Sequence, residues 1–343
     1  MNNDWNIFLN FHFASITDGD WVDFEQSIQT IASVLCDLSH LGLIRIAGKN
    51  SVDFLQGQFT NDIRELTAEK YQLNAYCNPK GHMLANGWFF RRGDDIFFQL
   101  PRATLPAVLK RLSMFVLRSE VKLTDASDEL IRIGLVGSEA ERQLGTITSD
   151  LPSASQQVIQ TENLTIIRLP GTVPRFEIIG AEPAIEKSWQ QLAELAQPTS
   201  SSFWGLQDIQ AGIPAVYPAT VEAFIPQMVN MQLLNGISFT KGCYCGQEIV
   251  ARTQHRGTLK RRMYLAHING NQKPTAGDEL FSHSAEHGKS AGIIVDAQAT
   301  PEGGFDALVM VQIPCFEAND IHFKDAAGEK LHFCELPYSF ATD

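Results

Sequence analysis

No apolar run in this 343-residue chain approaches the ~20 residues that a membrane-spanning helix needs. The opening stretch, MNNDWNIFLNFHF, carries neither the basic start nor the apolar block of a secretory signal. Positive charge is scarce, with 27 Lys and Arg against 39 Asp and Glu and a net charge of −12. That balance argues against a general nucleic-acid coat and against an electrostatic membrane binder. Cysteine is limited to six, and Cys36, Cys77, Cys315 and Cys334 are scattered through apolar stretches. Such usage predicts reduced thiols in a cytoplasm, not a disulfide framework. There is no internal repeat, and no RNP-like, KH-like or zinc-knuckle pattern.

What is present is enough to fold: 44% hydrophobic residues, 19% charged ones, and a length that predicts two or three domains. LGLIRIAG from Leu41 alternates as a strand does, and Asn50 or Ser51 is placed to cap a short helix. YQLNAYCN, LANGWFF and DIFFQL read as further strands, the last two joined through the turn residues RRGDD. Leu105, Val108, Leu109 and Leu112 repeat at helical spacing. A second group of strands, LIRIGLVG, LTIIRLPG and RFEIIGAE, is closed by a helix bearing Ile185, Trp189, Leu192 and Leu195. PTSSS near Pro198 reads as a linker. After Arg262 come six short strands separated by turn residues, with no helix among them, the pattern of a small β-barrel or sandwich. The fold class is α+β.

Chemistry concentrates in KGCYCGQEIVARTQHRGTLKRR, Lys241 to Arg262. Gly242 and Gly246 bracket Cys243, Tyr244 and Cys245, and GQEIVARTQ is helix-forming after its glycine. A helix N-terminus and the charge of Lys241 together favour the thiolate, the nucleophilic and metal-binding form of cysteine. Cys243 is therefore the candidate reactive group, and Cys245 reads as a small buried filler. Cys-x-Cys with His255 offers three ligands where structural zinc wants four, so no resident metal site is predicted, while transient iron–sulfur ligation needs only an exposed thiolate. The Lys and Arg residues of this segment, Arg252 and Arg256 among them, suit a polyanionic small molecule such as a polyglutamate tail or a phosphate. Trp204, in SSFWGLQDIQAGIPAV before a helix, reads from composition alone as core.

The signature K-G-C-Y-x-G-Q-E, here KGCYCGQE, resembles that of the YgfZ family of folate-binding proteins. This family is related to the T-protein of the glycine cleavage system. FLQGQFTNDIREL, NPKGHMLANGWFF, MFVLRSEVKLTD, AGIPAV, FIPQMVNMQLLNGISFTKGC and ELPYSF agree, so the likeness spans about Leu38 to the C-terminus. It implies a three-domain, ring-like T-protein-type arrangement around a folate pocket. Residues 1–120 with 201–257 would form the folate-binding α+β domain, 121–200 a ferredoxin-like domain, and 258–343 a small C-terminal β-barrel. It implies tetrahydrofolate or another folate as ligand, iron–sulfur enzymes as clients, and an indirect link to tRNA through thiolation. An independent catalytic activity is not implied; the alternative is a folate-dependent, aminomethyl-type one-carbon transferase. The family's functional cysteine falls on Cys243, with Lys241 tuning it. Its folate-stacking tryptophan falls on Trp204, which replaces the composition reading, and its second folate-contacting aromatic falls on Leu41. The x position, often threonine, is Cys245.

Overall fold

In the computed structural model, residues 1–17, 19–24, 32–257, 259–285 and 290–340 are described, the side chain of Arg256 excepted. The chain runs α1 (Asn3–Phe11), β1 (Ala14–Thr17), β2 (Trp21–Phe24), β3 (Ser33–Asp37), β4 (Leu41–Ala47), α2 (Ser51–Gln56), β5 (Gln72–Cys77) and β6 (Met83–Arg92). It continues through β7 (Asp95–Pro101), α3 (Leu105–Ser113), β8 (Lys122–Asp125), β9 (Ile131–Gly137), α4 (Ala140–Leu144), β10 (Val158–Gln160), β11 (Leu164–Leu169) and β12 (Arg175–Gly180). Then come α5 (Glu182–Ala193), β13 (Gln197–Thr199), α6 (Ser201–Gln210), α7 (Gln247–Arg256), β14 (Arg261–Ile268) and β15 (Glu279–Phe281). The last elements are β16 (Gly292–Ala299), β17 (Phe305–Gln312), α8 (Ile313–Ala318), β18 (His322–Phe323) and β19 (Leu331–Cys334). The α+β pattern of the sequence is the pattern of the structure. Two compact units divide the chain: residues 1–54, 63–72 and 87–204, and residues 55–62, 73–86 and 205–343.

The first unit contains a six-stranded sheet in the order β10-β11-β12-β9-β3-β13, antiparallel except for the parallel pair β13–β3. Alternation along β9 sends Ile131, Ile133 and Leu135 to one face, where they pack with Trp5, Phe8 and Leu9 of α1 and with Ile185, Trp189 and Leu192 of α5. Each large side chain buried there contributes about 1.5–3 kcal/mol. Asn2 starts α1 by accepting from the backbone N–H of Asp4 and of Trp5, both at 3.0 Å. The other face carries Val136, Ile167, Ile179 and Trp204. Both faces are covered, so these strands read as nearly continuous apolar runs. The same unit holds β7, β4 and β8, with the Trp88–Arg92 part of β6 pairing to β7 across the predicted RRGDD turn.

In the second unit the order β18-β15-β16-β17-β14-β19 forms the barrel sheet. Its end strands meet, since the N–H of Leu331 donates to the carbonyl of Ile321 at 2.9 Å and His322 bridges Lys330. Ala266, Ile294, Val309, Val311 and Leu331 fill it.

Local readings change, and Leu195, expected on the face of the closing helix, lies beyond the end of α5 and is exposed. PTSSS is not a linker: Gln197–Thr199 pairs in parallel with β3, and the serines open α6. Trp204 lies inside that helix, not before it. The barrel strands are interrupted by α8, which starts with a proline in its first turn and ends at Asn319 in the left-handed region, φ 53°.

Candidate functional site

Lys241 is 5% exposed, and its ammonium donates to the carbonyl oxygens of Phe59 at 2.7 Å and Asn61 at 2.6 Å. It also lies 5.1 Å from the ring centre of Tyr244. Asn61 is itself held, its amide donating to the carbonyls of Asn235 at 2.6 Å and Leu73 at 3.1 Å. The charge of Lys241 thus binds the segment carrying Phe59 and Asn61 to the signature loop. The loop is fastened again by the Cys245 N–H, which donates to Gly57 at 3.2 Å.

Gly246 turns the chain at φ 84° and caps α7. A Cβ there would lie 2.5 Å from the carbonyl oxygen of Asn78 and 3.1 Å from Cβ of Cys77, so only glycine fits. Gly242, by contrast, has nothing within 4 Å of where its Cβ would be. Between these points Tyr244 is buried, Cys245 is half-buried and Cys243 is exposed. What the loop presents to solvent is Gly242 and Cys243. Burial pushes the Cys77 thiol and the Tyr244 phenol well up, so both stay protonated at neutral pH.

Along α7, Arg252 is exposed, while Arg256 is the last residue and its side chain lies outside the described residues. Arg262, which follows on β14, places its guanidinium 4.5 Å from the ring centre of Phe340. Asp62, next to Asn61, is buried.

A second polar cluster lies on the first unit's sheet. Arg132 and Gly134 of β9 alternate onto the face opposite α1 and α5, and Glu177 pairs directly across from Gly134. Trp204, 1% exposed, lies over Gly134, where a Cβ would come within 2.4 Å of its ring. The Arg175 guanidinium is 5.1 Å from that ring. Gln99 donates to the carboxylate of Glu177 at 3.0 Å, and the amide oxygen of Gln99 is buried without a hydrogen-bond partner among the described residues. Leu41 packs, partly buried, against the same apolar cluster as Trp204, and its carbonyl accepts from Arg132 at 2.6 Å. Leu41 and Trp204 therefore share one apolar cluster, and Cys243 and Lys241 lie together on the KGCYCG loop of the other unit.

Sequence reasoning passed over Arg132, Arg175, Glu177 and Gln99. The signal was there: charges inside apolar strands such as IRIGLVG and RFEIIG, at positions that alternation buries. Charge buried on a sheet face demands partners, and this group can recognise the polar edge of a flat molecule.

Residues 10–210 match the family model described as the GCVT N-terminal domain. The protein named tRNA-modifying protein YgfZ from Yersinia pseudotuberculosis is 35% identical over 309 residues, covering 90% of this chain and 93% of that one. Its namesake from Yersinia enterocolitica is 31% identical over the same shares. This chain belongs to the YgfZ family. The solved aminomethyltransferase T of the glycine cleavage system from Bartonella henselae superposes with a TM-score of 0.74 at 14% identity, covering 98% of this chain and 97% of that one. The fold is therefore of the T-protein type.

Proposed function

We propose that this member of the YgfZ family binds a folate and supports tRNA modification by maintaining an iron–sulfur enzyme, with Cys243 as the thiol offered to that client. One observation carries the reading. Within KGCYCG, Lys241, Tyr244 and Gly246 are buried or sterically fixed, and Cys243 is held out to solvent. A loop fastened so closely around one exposed sulfur is built to present it. The relatives named tRNA-modifying proteins support the tRNA link.

The cluster around Trp204 fits a folate. The amide oxygen of Gln99 lacks a partner among the described residues, and the carboxylate of Glu177 lies beside it. An amino-pterin edge supplies N–H donors to both. Trp204, packed on Gly134 and beside the Arg175 guanidinium, backs this polar group from within, and the partly buried Leu41 adds apolar surface. When bound, a reduced folate would supply a carrier of one-carbon units. Lys241 is the positioning residue of the cysteine loop. Arg252 and Arg256 are assigned to anionic groups, a glutamyl tail or a phosphate.

Two measurements test this. Cys243→Ala is expected to keep the fold and folate binding while failing to restore iron–sulfur enzyme activity and tRNA thiolation in cells lacking the endogenous relative. Full rescue by the variant would overturn the thiol role. In calorimetric titration with tetrahydrofolate, Glu177→Gln is expected to weaken binding by about tenfold, the value of one lost charge-assisted hydrogen bond. Unchanged affinity would remove the pterin from this face.

A further inference from the structure

We propose that Cys245 is the resolving thiol of Cys243, so that the signature loop carries out thiol–disulfide exchange on a solvent-borne disulfide. The inference rests on the reading of Cys243 as the reacting thiol and adds a substrate class and a second group to it.

The two sulfurs differ in the way that an attacking and a resolving thiol must. Cys243 is exposed, next to Gly242, around which there is open space. Cys245 is half-buried and its backbone is fixed by the hydrogen bond to Gly57. A bulky disulfide can reach the first and not readily the second. Behind Cys245 lies Cys77, fully buried, whose thiol is further raised by the neighbouring charge of Cys245 after the larger effect of burial. That site holds its proton and does not compete as a nucleophile.

Chain geometry permits the bridge and keeps it labile. Two residues of extended chain span at most about 7 Å, at the upper edge of the range of Cα separations that a disulfide accepts. Gly242, with nothing within 4 Å of where its Cβ would be, gives the loop the freedom to shorten that span. A bridge at the edge of the accepted geometry is readily reduced, which suits exchange and not structural cross-linking.

The step balances as follows. The Cys243 thiolate attacks one sulfur of R–S–S–R′, forming Cys243–S–S–R and releasing R′S⁻. The Cys245 thiol loses its proton to solvent and attacks the sulfur of Cys243, expelling RS⁻ and closing the Cys243–Cys245 disulfide. Two protein thiols are oxidised and one substrate disulfide is reduced to two thiols. A low-molecular-weight thiol in excess reverses the sequence.

The test uses the full chain with oxidised glutathione, followed by intact-protein and peptide mass spectrometry. Wild type is expected to close the Cys243–Cys245 bridge with only transient adduct. In Cys245→Ser and Cys245→Thr the glutathione adduct on Cys243 should persist at least about ten times longer. Cys243→Ser should acquire adduct on Cys245 far more slowly than wild type does on Cys243. Equal adduct lifetimes in wild type and the Cys245 variants would overturn the resolving role and leave Cys243 as a reactive thiol. Mapping of the wild-type bridge to Cys77 would overturn it as well. Failure of Cys243 to take up glutathione in every variant would overturn both this inference and the proposed function.

Discussion

The ammonium of Lys241 lies 2.6 Å from the carbonyl oxygen of Asn61, and the same nitrogen donates to Phe59. A lysine this deeply buried is tolerated because its protons find oxygens whose own positions are fixed. Lys241→Met keeps the stem and removes the donors, leaving two buried carbonyls short of a charged partner. The expected loss is about 2–4 kcal/mol, read as a lower urea midpoint with unchanged slope. Lys241→Arg is expected to lose stability too, because a planar fork does not reproduce the contacts of a compact ammonium. An unchanged midpoint in both variants would refute the anchoring role.

Gly134 is the floor on which Trp204 rests. Its backbone is ordinary, so any penalty for a side chain there is steric. A Cβ would meet two ring carbons of Trp204 at 2.4 and 2.5 Å, and the indole is enclosed on all sides. Gly134→Ala is therefore expected to cost about 1–3 kcal/mol and to shift the tryptophan emission. Trp204→Ala is expected to cost more, about 3–5 kcal/mol, through the cavity it leaves. A Gly134→Ala protein with the native melting temperature would contradict the packing described.

Alkylation should sort the cysteines by position. Cys243 and Cys334 are exposed, Cys245 is half-buried, and Cys36 and Cys77 are enclosed with their thiols pushed up by burial. With iodoacetamide at pH 8, Cys243 is expected to be labelled early, and Cys36 and Cys77 only after denaturation. Cys243→Ala should change stability by no more than about 0.5 kcal/mol, as an exposed substitution does. Labelling of Cys77 in the native protein at the rate of Cys243 would contradict the burial pattern.

The strands and most helices were legible because their spacing is regular and their turns carry Gly, Asn and Asp. RRGDD between β6 and β7, and the leucines of α3, were read as the structure has them. The signature loop was legible as a motif, but its mechanics were not. Nothing in KGCYCG says that Lys241 reaches back across the sequence to Phe59 and Asn61. Tertiary partners decide that, and spacing within a motif does not encode them. The N-terminal region shows the opposite case: Trp5, Phe8 and Leu9 stand at helical spacing behind an Asn cap, a signal present and left unused. α8 was hidden because its residues, Ile313–Ala318, are too few for a helical period to show among strands.

A buried carboxyl and a buried imidazole on one segment give a pH dependence of opposite signs. Asp37 is wholly enclosed, and burial raises its pKa from 3.8 to about 6 despite hydrogen bonds from Trp5 and Ser39. The folded chain therefore holds a proton between about pH 4 and 6 that the unfolded chain has released, and stability falls as pH rises through that window. His40, stacked on Trp21, is lowered from 6.5 to about 3 by burial and then by the charge of Arg132. It refuses a proton that the unfolded chain accepts, so its own effect is a loss of stability as pH drops below 6.5. Asp37→Asn removes the first effect and leaves the second. Its absolute stability will shift because one acceptor of the Trp5 and Ser39 hydrogen bonds is replaced, and the slope isolates the proton. Between pH 4 and 6 the variant's stability should gain on wild type by about 1.4 kcal/mol per pH unit, approaching about 3 kcal/mol in total. Urea unfolding of the pair at half-unit pH intervals reads this directly, and parallel curves would show that Asp37 ionises in the folded protein as freely as in the unfolded chain.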